Sequence, residues 1–64
     1  MTWELYEVWS ADEDGHEELI DTTKSYKEAK ALAKKALNEG AVSSWIFRET
    51  GNGDFEELDR YENA

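Results

Sequence analysis

The chain has 64 residues, sixteen acidic and seven basic, giving a formal net charge of −9, with one histidine and neither cysteine nor proline. A chain this short is one domain at most, and it buries only about 60% of the surface its unfolded form exposes, so its core is thin. The missing cysteines exclude a disulfide-stapled mini-protein and a cysteine-type zinc finger, and the negative excess argues against phosphate backbones and anionic membranes as direct partners.

Residues 3–9 alternate bulky side chains with others and are rich in Trp, Tyr and Val, which predicts a strand. Asp12-Glu13-Asp14-Gly15 follows, and Asp-Gly is a hairpin signal because both central residues of a type I′ turn need positive φ. A turn centred there pairs Glu13 with His16, sets Trp9 opposite Ile20 and makes residues 16–23 the return strand. Ser25-Tyr26-Lys27-Glu28 is a capping box, in which the Ser hydroxyl accepts the third amide and the Glu reaches back to the cap amide. Strong helix formers follow, lysines complement the dipole at the later turns, and Gly40 stands where a left-handed residue ends a helix, so a helix is predicted over 25–39. Residues 41–50, with Val42, Trp45, Ile46 and Phe47, predict a third strand. Gly51-Asn52-Gly53 is a second turn, and residues 54–61 are a more polar fourth strand.

The expected fold is α+β in the order ββαββ: a four-stranded antiparallel sheet with one helix packed on one face, the whole chain 1–64 forming one small domain. Short uncrossed connections give the strand order 2-1-3-4. The helix places Tyr26, Ala29, Ala33, Ala36 and Leu37 on one stripe, with Leu32 at its edge. A stripe of small residues leaves room for large partners, so Trp3, Leu5, Trp9, Trp45 and Phe47 are expected beneath it. Tyr6, Val8, Val42, Ser44, Ile46 and Arg48 then fall on the open side. Strand four has two registers. A two-residue Asn52-Gly53 turn puts Leu58 toward the helix with Phe55 and Tyr61 outside, and a three-residue loop reverses this.

Catalytic and ligand motifs are weak throughout. The acidic run Asp12 to Glu18 has no EF-hand spacing, since the twelfth position from Asp12 is Thr23 and the flanks are strands. His16 is an exposed turn residue without a nucleophile at hand. Gly51-Asn52-Gly53 lacks the following helix and Lys of a phosphate loop. The carboxylate pairs Glu17/Glu18 and Glu56/Glu57 read as solvated surface, because an acid–base pair needs a buried member in a cleft. No catalytic residue, cofactor or metal ligand is expected. All five lysines lie in residues 24–35, a segment of net +4, while the remainder carries −13. The first residues have no basic or apolar leader, and the longest uncharged run, Gly40 to Phe47, cannot span a bilayer. The expected location is the cytoplasm.

Thr22/Thr23 before the helix, Glu28-Ala29 in its first turn, Ala33, Gly40, Ile46 and Arg48 leading into a Gly turn, and a late Tyr61 together resemble a family of small bacterial hairpin–helix–hairpin domains of unknown function. The resemblance spans residues 22–61 and implies the ββαββ plan. It implies no activity and no site residues, and the acidic first turn and strong negative charge depart from it. The functional expectation is a non-catalytic protein-interaction or regulatory module, acting on a protein partner or on itself. Its candidate surface is Tyr6, Val8, Ile46 and Arg48 on the open side, with Lys27, Lys34 and Lys35 on the helix. The alternative is an acidic inhibitor that mimics nucleic acid and occupies a basic protein groove. Direct nucleic-acid binding and membrane association are disfavoured.

Overall fold

The alternating segments pair as four strands: β1 (Tyr6–Ala11), β2 (Glu17–Thr23), β3 (Ser43–Glu49) and β4 (Phe55–Glu62), with α1 (Tyr26–Asn38) between the two hairpins. The computed structural model describes residues 5–51 and 53–63. The strands form one antiparallel sheet in the order β2-β1-β3-β4, as the sequence plan requires.

Local chemistry accounts for the helix and its ends. Ser25, in extended conformation at φ −117° and ψ 123°, accepts the Glu28 backbone N–H on its hydroxyl. The return half of the capping box runs through a third residue. The Ser25 N–H donates to Thr23 Oγ1 at 3.2 Å, and that hydroxyl donates to Glu28 Oε2 at 2.7 Å. At the other end, Ala41 N–H donates to the Ala36 carbonyl and Gly40 N–H to the Leu37 carbonyl, a Schellman motif closed by Gly40 at φ 111°.

The helix covers the side of the sheet opposite to the one expected. Tyr6, Val8 and Ile46 form the core with Ala29 and Ala33, and Leu32, Leu58 and Tyr61 pack around them. Val8, Ile46, Ala29 and Ala33 are fully withdrawn from solvent. Trp9, Trp45 and Phe47 alternate with these core residues along β1 and β3, so they stand on the uncovered side. Trp3 lies outside the described residues. Ala29 and Ala33 of α1 pack against Val8 and Ile46, with the larger Tyr6 beside them. Topology decides which side this is. β2 and β3 are each antiparallel to β1 between them, so they run parallel, and β2–α1–β3 is a crossover of the kind whose hand is fixed as right-handed by strand twist. Hand, unlike periodicity, leaves no mark on a single strand's alternation.

Both hairpins close differently from a two-residue turn. In the first, Asp12 pairs with His16 (N–H to carbonyl 3.1 Å), Gly15 donates to the Asp12 carbonyl, and among the turn residues only Gly15 has positive φ, at 82°. This is a three-residue loop, and it puts Trp9 opposite Leu19 rather than Ile20. A bulge at Ile20 then restores the expected offset, so that Val8 faces Asp21. In the second, Thr50 N–H donates to the Asp54 carbonyl at 2.9 Å, leaving residues 51–53 as the loop. A second bulge at Leu58 shifts the ladder between Phe47–Glu57 and Ile46–Asp59. Neither register considered for β4 holds along its whole length. Phe55 falls on the Trp45 side, while Leu58 and Tyr61 both reach the helix side.

Candidate protein-interaction face

The uncovered face, the side of the sheet opposite α1 that no element among the described residues covers, is built on the two central strands. Trp9 of β1 lies directly opposite Trp45 of β3, and Arg60 of β4 lies opposite Trp45 on its other flank. The Arg60 guanidinium sits 4.7 Å from the centroid of the Trp45 ring, and its Nε donates to Glu57 Oε1 at 3.1 Å. Trp45 is only 4% exposed although no helix among the described residues covers it. Trp9 is half-buried, and its indole N–H donates to Glu7 Oε1 at 3.1 Å. Beneath it, Ser44, itself fully buried, donates its hydroxyl to the Trp9 carbonyl at 2.7 Å. The indole is thus held at both its ring nitrogen and its backbone. Phe47 continues the row along β3, and Leu19 and Phe55, 44% and 43% exposed, flank it on the outer strands. Trp9 and Phe47 are thus partly open and Leu19 and Phe55 exposed on one sheet face, and apolar side chains gathered in this way are the usual mark of a binding surface.

The residues put forward from the sequence do not share one surface. Tyr6, Val8 and Ile46 are core. Arg48 lies on the helix-covered side and is ion-paired with Glu56 at 2.9 Å. Lys27, Lys34 and Lys35 are exposed on α1, across the sheet from the tryptophans. The sequence reading named Trp9, Trp45 and Phe47 but put them under the helix. It passed over Arg60, one of only two arginines and the one that stands among carboxylates.

Two other places bring polar groups together. Ligand atoms of Asp12, Asp14 and His16 lie within 4.8 Å of one another, all three residues exposed. The Asp12 carboxylate closes the turn, accepting the backbone N–H groups of Asp14 (3.0 Å) and His16 (2.9 Å) and lying 3.6 Å from His16 Nδ1. The His16 amide is the main reason its pKa falls below the ordinary 3.8, with the Asp14 amide and the His16 charge adding and burial opposing. A cleft of about 360 Å³ lies between the C-terminal half of α1 and β2, with Ile20, Leu32 and Ala36 against Glu18 and Lys35. Among the described residues, no helix is long and apolar enough to cross a membrane. No protein-family model, curated protein or solved structure matches the chain.

Proposed function

We propose that this chain is a small non-catalytic module that binds another protein through the uncovered face of its sheet. The observation that carries the reading is the row Trp9–Trp45–Phe47, set on rigid central strands with its helix on the opposite side. Trp45, closed beneath Arg60, braces the row, and Trp9 and Phe47 with Leu19 and Phe55 beside them offer the contact area; aromatic side chains held on paired strands lose little conformational entropy on binding and dominate the energetics of protein interfaces. A thin core adds a motive, because burying this row against a partner stabilises the folded chain by mass action. The mimicry of nucleic acid by the acidic body has less support, since the lysines of α1 interrupt the negative surface.

Site-specific photo-crosslinking in the native host tests the reading. A benzoyl-phenylalanine is placed at Phe47 on the uncovered face, and in a separate variant at Lys34 on the outer side of α1. The expected result is a discrete protein adduct, foreign or a second copy, from position 47, lost when Trp9→Ser is added. Adducts from position 34 alone, or a position-47 adduct indifferent to Trp9→Ser, overturn the reading.

A further inference from the structure

Resting on that reading, we infer that the occupant of the uncovered face is a cationic protein segment that presents arginine. The first support is charge. Register places Glu7, Glu17, Glu49, Glu57 and Glu62 on this side of the sheet, and Arg60 is the one base among the described residues there. The aromatic row is therefore rimmed by carboxylates, a field that draws in positive charge and rejects phosphate.

The second support is that the face already holds a guanidinium. The Arg60 guanidinium sits over the Trp45 ring while Glu57 accepts its Nε, so ring and carboxylate hold one cation together. Trp9 stands beside Trp45 and has its own carboxylate, Glu7, fixed against the indole N–H. A partner guanidinium stacked on Trp9 meets Glu7 as Arg60 meets Glu57. Arginine suits this pairing better than lysine, because its planar fork stacks on an indole while its N–H groups donate sideways in the plane of the guanidinium, and it is less strongly hydrated than an ammonium. A second copy of the chain is a poor occupant. Face against face would oppose two acidic rims, and face against helix would be a head-to-tail contact, which builds a ring or a filament rather than a two-fold dimer.

The probe is a nine-residue arginine-glycine peptide, with a lysine-glycine peptide and a single-stranded oligonucleotide as comparisons, read by tryptophan fluorescence and by amide chemical shifts in about 0.15 M salt, where exposed charges beyond about 8 Å are screened. The expected result is saturable binding of the arginine peptide, with shifts centred on Trp9 and Phe47 and the lysine peptide at least about fivefold weaker. Glu7→Gln, which keeps an acceptor for the indole N–H and therefore the fold, weakens binding about tenfold or more. Trp9→Leu, checked for folding by circular dichroism, weakens it similarly. The paired control Glu13→Gln/Glu18→Gln removes charge away from the tryptophan row and leaves binding within about twofold. Equal loss in that control shows diffuse attraction to an acidic chain and overturns the inference. So do tighter binding of the oligonucleotide, and concentration-dependent growth in mass by light scattering that Trp9→Leu abolishes. A position-47 crosslink to a foreign partner with no basic segment overturns this inference while leaving the broader reading standing.

Discussion

Tyr26 ties the start of α1 to the far edge strand. Its hydroxyl donates to Asp59 Oδ2 of β4, its ring lies 5.7 Å from that of Tyr6, and Lys30 Nζ stands 5.6 Å from its centroid. The hydrogen bond to Asp59 is the main cause that pushes its pKa from 10.0 up to about 12, with burial and the Asp59 charge adding. The folded chain therefore holds this proton more tightly than the unfolded chain does. The resulting stability is fully present below pH 10 and is lost as pH rises through about 12. Tyr26→Phe lowers stability at neutral pH, and its deficit against the unmodified chain shrinks between pH 10 and pH 12, as denaturant midpoints measured across that range will show. The Tyr61 phenol, raised mainly by burial and then by Asp59, titrates in both proteins and does not cancel the difference. At Gly40, a Cβ would meet nothing within 4 Å, so Gly40→Ala tests backbone conformation alone. It costs about 1–2 kcal/mol in urea denaturation, the penalty of a left-handed conformation for an L side chain.

The elements differ in how far their sequences declared them. α1 was legible because its signals are local: a Ser cap, a run of helix formers and a terminal glycine, each acting within one turn of the chain. Each hairpin was legible as a hairpin for the same reason. The side of the sheet under the helix was not legible, because Tyr6, Val8 and Ile46 on one side and Trp9, Trp45 and Phe47 on the other are equally apolar in pattern. What separates them is the hand of a crossover, a property of the assembled elements. The alanine stripe of α1 makes a prediction. Ala33 is fully buried against the sheet, so Ala33→Leu must lift the helix or force strained rotamers, at a cost of about 1–3 kcal/mol. Thermal unfolding should show a clear drop in midpoint, while Ala31→Leu on the exposed face of α1 changes it little.

Across the whole molecule, charge is uneven about the sheet: Glu18, Asp21, Glu56 and Asp59 lie on the helix side, where the lysines of α1 offset them. The exposed lysines stand on the outer side of α1, and carboxylates rim the tryptophan row on the opposite side. A net charge of −9 on 64 residues repels itself, and the repulsion is partly screened by salt. Raising sodium chloride from about 0.01 M to about 0.5 M shortens the Debye length from about 30 Å to under 8 Å and should raise the thermal midpoint. A domain of this size has about 3–10 kcal/mol of stability in all, so even a modest gain is measurable. If the midpoint falls instead, the ion pairs Arg48–Glu56 and Arg60–Glu57 outweigh the general repulsion.

The bulges at Ile20 and Leu58 give the two outer strands a residue of slack. In β4, the ladder on each side of Leu58 is regular, and only Leu58 itself has no counterpart across the sheet. Deleting Leu58 closes the ladder without moving the second loop or turning Tyr61 away from the helix. It removes one partly buried side chain and leaves the frame of every other pair intact. Deleting Glu57 instead draws Leu58 into its place opposite Phe47 and turns that leucine to the tryptophan side. The two deletions shorten the chain equally. The first should keep the Tyr26–Asp59 contact and a cooperative unfolding transition, and the second should expose an additional leucine beside Phe47. The extra residue is thus a place where this small sheet can lose length without losing its frame, and Ile20 offers β2 the same tolerance.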